Sequence, residues 1–185
     1  MKKSILLSLL FTFFSFILLA QEEPLQPKMQ IGLTGLPIVY INNGQFSVNG
    51  LAVYGNIGWW IKEKQVVGLR PFIGYVETDF EQMLSIGNNL YYRYYFNKSS
   101  FSWFTDLNLG FGYIWYEDKF EFGTPRDLNG IMFNYAFGLG FDWAIAKPWN
   151  LEFLLQYLQM RNLNYPNATI VGNALIPSIG IQRYF

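Results

Sequence analysis

Phe101-Ser102-Trp103-Phe104-Thr105-Asp106-Leu107-Asn108-Leu109-Gly110-Phe111-Gly112-Tyr113-Ile114-Trp115 carries large apolar or aromatic residues at nearly every odd position. The even positions include Ser102, Asp106, Asn108, Gly110 and Gly112. A period of two sustained this long is the signature of a β-strand. The next segment repeats it. Ile131, Phe133, Tyr135, Phe137, Leu139, Phe141, Trp143 and Ile145 fall on one face, and Asn134, Ala136, Gly138, Gly140 and Asp142 on the other. In a soluble barrel the bulky face turns inward and the outer face carries Lys and Glu. Here the second face holds Gly, Ala, Asn and about one charge per strand, the arrangement of a barrel that is apolar outside and polar within.

Outward from this pair, the same reading predicts eight strands, at about 29–40, 46–61, 66–76, 84–96, 101–117, 129–146, 151–160 and 174–185. The expected fold is all-β, an eight-stranded antiparallel up-and-down transmembrane barrel spanning 29–185. Connections alternate in length. Short turns are expected at Lys62–Gln65, Asn97–Ser100 and Lys147–Asn150, and longer ones at 77–83, 118–128 and 161–173, with the short Asn42–Gln45 turn as the exception. Short periplasmic turns and longer external loops produce that rhythm, and an even strand number puts both termini in the periplasm.

Composition agrees. Only 14% of the 185 residues are charged and 20% are aromatic, against roughly 25% charged in ordinary soluble domains. The 13 basic and 13 acidic residues balance, which argues against a nucleic-acid partner. With no Cys there is no disulfide framework or thiolate site, and with no His the usual hydrolytic triads and imidazole metal sites are absent.

Lys2 and Lys3 precede an apolar run from Ile5 to Leu19 that ends at Ala20, before Gln21-Glu22-Glu23-Pro24. That order predicts a secretory signal peptide over 1–20, cleaved after Ala20, with 21–28 as a periplasmic N-terminal segment. A spanning helix wants roughly 20 apolar residues, more than this run supplies. Removing Lys2 and Lys3 from the 13 basic residues leaves 11 against 13 acidic, a net charge of −2. Aromatic doublets stand where strands should meet a lipid–water boundary, with Trp59, Trp60, Tyr92, Tyr94, Phe96, Trp103, Trp115 and Trp149 as the expected girdle.

The chain ends Ile179-Gly180-Ile181-Gln182-Arg183-Tyr184-Phe185, and Leu90-Tyr91-Tyr92-Arg93-Tyr94-Tyr95-Phe96 has a similar cadence inside it. On these segments the mature chain resembles the small eight-stranded outer-membrane barrels of Gram-negative bacteria, the OmpA/OmpX-like, porin-like class. The resemblance implies that Ile179, Ile181 and Phe185 form the signal read by the barrel-assembly machinery. Arg183 departs from the usual apolar residue third from the end, where at the periplasmic rim it can snorkel to headgroups. The Leu-Ala-Gln signal ending and the Arg-Tyr-Phe terminus suggest a Bacteroidetes-type source. Enzymes among small outer-membrane barrels use a catalytic His, so the resemblance implies no enzyme, no catalytic residue and no cofactor here. It speaks to architecture and location rather than activity.

With the apolar face outward, Arg70, Arg93, Asp106, Asp142 and Glu152 face the lumen. Eight strands leave an interior just wide enough for side chains to fill, so these charges are expected to pair in one network. The alternative, a carboxylate pair doing acid–base chemistry, needs a cleft that a packed lumen lacks; a narrow ion path is a further one. Glu77, Asp79 and Glu81 lie two apart and are a candidate divalent-cation or surface-sugar contact. The hairpin tip 118–127, mixing acids with Phe120 and Phe122, is the candidate site for a protein or glycan partner, against lipopolysaccharide contact as the plainer role. The expected function is a non-enzymatic structural or surface-interaction barrel. The alternatives are an accessory subunit of an envelope complex, a narrow passive channel, and a secreted soluble lipid-binding barrel.

Overall fold

A computed structural model describes residues 29–42, 45–77, 81–118, 129–146, 148–164 and 174–185. The expected signal peptide, the 21–28 segment, Asp79 and residues 119–127 of the hairpin tip lie outside them. Eight strands follow one another: β1 (Met29–Asn42), β2 (Gln45–Lys62), β3 (Gln65–Glu77), β4 (Glu81–Tyr95), β5 (Phe101–Asp118), β6 (Gly130–Ala146), β7 (Trp149–Asn162) and β8 (Ala174–Tyr184). Each pairs antiparallel with its sequence neighbours, and β8 returns to β1 to close the barrel. Closure gives every strand two neighbours, although β1 and β8 share only part of their lengths.

Several strands run further than the hydrophobic pattern indicated. β2 continues to Lys62, so the expected four-residue turn is only Glu63 and Lys64, and β4 begins at Glu81 rather than 84. The connection expected at 77–83 is therefore only residues 78–80, within the range of the turns at the end bearing the termini. Polar residues misplaced these boundaries because backbone pairing continues past the apolar band: Glu77 stands opposite Gln82 in the β3–β4 ladder.

The faces fall as the alternation requires. Leu33, Leu109, Phe111, Leu139 and Leu175 project outward, each more than half exposed. The inner face, however, is not uniformly small. Tyr91, Phe104 and Phe72 are buried inside, and each stands directly opposite a glycine: Gly68, Gly140 and Gly87 respectively. A Cβ at Gly140 would lie 2.5 Å from Phe104 Cζ, so the ring occupies the space that the missing side chain leaves. Three apolar clusters result. Val66, Tyr91, Tyr95, Phe104 and Leu154 sit towards the termini, and two further groups, around Leu36–Ile176 and Phe72–Met132, fill the other half.

Because Gly140 and Phe104 fill one volume, Gly140→Ala should lower unfolding stability by about 1–3 kcal/mol, the usual range for overpacking a dense core. Denaturant titration of the refolded barrel measures it. An unchanged midpoint would mean the ring has room to move.

Candidate functional site

The five charges expected in the lumen arrive there from β3 to β7 by parity alone, and none is more than 2% exposed. Arg93 and Asp106 are directly opposed in the β4–β5 ladder. Asp106 is held from two sides. Arg70 grips it in a two-point fork, Nη1 to Oδ1 at 2.8 Å and Nη2 to Oδ2 at 3.0 Å, while Arg93 Nε donates to Oδ2 at 3.0 Å. Such paired contacts are the strong form of a charged hydrogen bond. Arg93 then reaches across the lumen to Glu152, with Nη1 2.6 Å from Oε2.

Asp142 and Glu152 face each other across β6 and β7. Like charges directly opposed destabilise a sheet unless something answers them. Glu152 is answered by Arg93, by Thr34 Oγ1 at 3.0 Å and by Gln182 Nε2. Asp142 is served differently: its Oδ2 accepts from the Tyr95 hydroxyl at 2.6 Å and the Tyr184 hydroxyl at 2.5 Å, and the nearest guanidinium nitrogen is 4.0 Å away. With three carboxylates to two guanidiniums, Asp142 is the carboxylate that the arginines do not clamp.

Sequence reasoning considered formal charges and missed the neutral partners. Asn56 accepts from Arg70 Nε at 2.5 Å and donates to Thr34 at 2.8 Å. Asn108 accepts from Arg70 at 2.7 Å and donates to Asp106 at 2.6 Å. Rings complete the surroundings, with the Arg93 guanidinium 3.8 Å from the Phe104 centroid and Arg70 4.5 Å from that of Tyr91. The signal that could have found these residues is the inward parity that placed the charges.

The expected girdle is corrected at one member. Trp60 turns inward, stacks on Tyr95 at 5.0 Å and is capped by Lys98 Nζ at 4.8 Å, closing the lumen at the end bearing the termini. Adjacent aromatics cannot both face outward in a strand, so one of each doublet goes inside: Tyr91, Tyr95, Phe104 and Tyr116 do so as well. Trp59, Phe96, Trp103, Trp115 and Trp149 are exposed, and Tyr92 and Tyr94 are half-buried on the outer face. Ile179, Ile181 and Phe185 line the outside of β8, where Arg183 lies over both Trp149 and Phe185, at 5.5 and 4.7 Å from their centroids.

Of the candidate acidic trio, Glu77 accepts a 2.6 Å hydrogen bond from the Tyr75 hydroxyl. Asp79 and the Glu81 side chain lie outside the description, and the described residues hold no cluster of three metal-ligating side chains. A hollow of about 380 Å³ near the termini is lined by Ala144, Ile145, Ala146, Pro148, Asn150 and Tyr184, a set with little chemistry to offer.

No protein-family model and no curated protein matches the chain. Solved structures do. Neisserial surface protein A matches with a TM-score of 0.58 at 11% identity, covering 86% of this chain and 97% of that one. The N-terminal β-barrel domain of Pseudomonas aeruginosa OprF matches at 0.54 and 14% identity, covering 86% and 100%. Ail, the attachment invasion locus protein of Yersinia pestis, matches at 0.52 and 10% identity, covering 87% and 100%. At these identities the likeness is one of fold: the chain has the closed eight-stranded architecture of small outer-membrane barrels.

Removing one partner of a buried ion pair strands the other, at a cost of about 3–5 kcal/mol. Arg93→Leu, which leaves Glu152 without a cation while Asp106 keeps its Arg70 fork, should destabilise the barrel by about that much in urea unfolding. Asp142→Asn should cost far less than Asp106→Asn. Equal losses would mean that the carboxylates are not ranked by their arginine contacts.

Proposed function

We propose that this chain is an integral β-barrel of a Gram-negative outer membrane, non-enzymatic, with a side-chain-filled lumen and a structural or surface-interaction role. One observation carries the reading: the outer face is apolar strand after strand, while Arg70, Arg93, Asp106, Asp142 and Glu152 are sealed inside and the exposed strand charges, such as Glu77, Glu117, Arg161 and Arg183, stand near the strand ends. In water such a surface would be an aggregation hazard. In lipid it is a solvent match, and a closed barrel is one of two architectures that leave no backbone group unpaired there. The soluble lipid-carrier alternative needs those apolar stripes to line a cavity, and they lie on the outside. The passive-channel alternative needs an open lumen, whereas buried side chains occupy its length.

Orientation follows from chemistry. Lys62, Lys64 and Lys98 stand at the end bearing the termini, which supports a periplasmic placing of that end, and the outward Ile179, Ile181 and Phe185 suit an assembly signal read there. The signal-peptide reading of 1–20 supports export, and its Leu-Ala-Gln ending a Bacteroidetes-type source.

At the opposite end β5 and β6 are 18 and 17 residues long, while roughly 9–11 cross a bilayer. Strands of that length reach past the hydrocarbon layer, so their described ends at Glu117 and Gly130 lie on the side we assign to lipopolysaccharide and the cell exterior; residues 118–127 follow Glu117 in sequence. A protein or glycan partner contacting that tip is the surface role we favour over an accessory-subunit role. It parallels the attachment named for Ail, a protein of the same fold.

Membrane fractionation with unheated and boiled electrophoresis tests the location. The expected result is recovery with the outer membrane and a mobility shift on boiling; a soluble, heat-indifferent protein would refute it. Deleting residues 119–127 should leave that shift intact and abolish cell-surface adhesion in a whole-cell binding assay. Unchanged adhesion would remove the tip from the proposal.

A further inference from the structure

The wall is not closed equally along its height. β1 and β8 pair from Gln30 opposite Tyr184 to Gly35 opposite Ile179 and no further among the described residues, although β1 continues to Asn42 and β8 begins at Ala174. Beyond that point each strand stays paired to its other neighbour: Pro37 stands opposite Leu51 of β2 and Pro177 opposite Leu155 of β7.

The hydrogen-bond pattern explains the stop. The Phe185 N–H donates to the Met29 carbonyl at 2.8 Å, so this pair belongs to the bonded class, which recurs at every second position of an antiparallel ladder. Counting along the seam, the bonded pairs are 31 with 183, 33 with 181 and 35 with 179. The next would be Pro37 with Pro177. Neither proline has an N–H, so both bonds of that step are lost together. Just past it, β1 changes register against β2 between Ile38 and Val39, an irregularity of the kind that turns an edge aside.

Both sides of this gap are apolar. Outside, a Cβ at Gly35 would meet nothing within 4 Å, leaving a notch below Pro37, and Leu175 is the most exposed large apolar side chain described, at 66%. Inside, Leu36 and Ile176 flank the gap and belong to the uncharged cluster with Ala52, Ala136 and Leu158. The arginines and carboxylates of the lumen lie on the termini side of the Gly35–Ile179 step, Glu152 standing level with Gly180 and Thr34.

We propose that the β1–β8 seam parts laterally beyond Gly35–Ile179 to admit an acyl chain of the surrounding lipid, which displaces packing at Leu36 and Ile176, side chains only 2% and 9% exposed with the seam closed. This rests on the membrane placement proposed above. The prolines favour an acyl chain over a partner strand. A strand adding to either edge would need ladder donors that Pro37 and Pro177 cannot supply, whereas a hydrocarbon needs none. They also lower the penalty of an opening in lipid, because no N–H is left orphaned at that step.

The test uses the mature chain, deuterated with protonated Leu and Ile methyls, in phosphatidylcholine nanodiscs, reading nuclear Overhauser contacts to the acyl methylenes. Expected are contacts at outward Leu33 and Ile179 and also at inward Leu36 and Ile176, with none at Ile114 and Leu154, which are buried away from the seam. Contacts at Leu33 and Ile179 without Leu36 and Ile176 would overturn the opening while leaving the membrane reading intact. Silence at all four would overturn both. Contacts at Leu36 and Ile176 from a second, differently labelled copy in place of lipid would replace the acyl chain with a dimer and overturn the proposal. In the folded Pro37→Val, Pro177→Val variant, with donors restored, the acyl contacts at Leu36 and Ile176 should fall at least several-fold. Contacts undiminished there would show that the prolines do not make the opening.

Discussion

Arg93 is the contact on which the interior turns. Its side chain meets Asp106 from the adjacent strand and Glu152 from the far wall, so β4, β5 and β7 are tied through one guanidinium, and Arg70 brings β3 to the same carboxylate. A charge in so narrow a lumen has no water to fall back on. Every ionised group there must find a partner from another strand, and that requirement reaches past the ladders to specify which strands face each other across the lumen. Neutral donors finish what the charges begin: Asn56 and Thr34 extend the net to β2 and β1, and Gln182 and Tyr184 extend it to β8. All eight strands contribute to one connected polar layer, β6 through Asp142.

Packing on either side of this layer follows a second rule. A large inward side chain is accommodated where the residue opposite is glycine, as at Phe104–Gly140, Tyr91–Gly68 and Phe72–Gly87. The glycines of the inner face are thus the complements of particular rings. Trp60 then stacks on Tyr95 and lies tilted against Tyr184 across the end bearing the termini, so the polar layer is sealed beneath aromatic surface. Filled in this way, the lumen argues for a structural wall with its business at its rim or its seam.

Much of this was legible in the residues. Period-two alternation located all eight strands and placed five charges inside; counting out from the expected Asn97–Ser100 turn would set Arg93 opposite Phe104, whereas the ladder sets it opposite Asp106. What escaped did so for physical reasons. Trp60 resembles a girdle residue by type, and only its parity against Trp59 says that it faces inward. Asn56, Asn108 and Thr34 carry no charge to announce them, yet they supply the hydrogen bonds that two guanidiniums and three carboxylates cannot provide one another. The strand ends were misjudged because polarity marks where an apolar band stops, while the ladder carries on. The two prolines were invisible until the β1–β8 register, continued one bonded step past Gly35–Ile179, set Pro37 against Pro177, 140 residues apart in the chain.

The assignment of inside and outside underlies everything else, and the absence of any cysteine permits it to be measured cleanly. Single cysteines placed in turn at residues 131–142 of β6, spin-labelled in lipid vesicles, report collision with oxygen dissolved in the bilayer. The expected result is a period of two, with Ile131, Phe133, Tyr135, Phe137, Leu139 and Phe141 positions accessible to oxygen and Met132, Asn134, Ala136, Gly138, Gly140 and Asp142 positions shielded. Accessibility that follows the even positions, or shows no alternation, would contradict a barrel that keeps its charges within and its aromatics in the membrane.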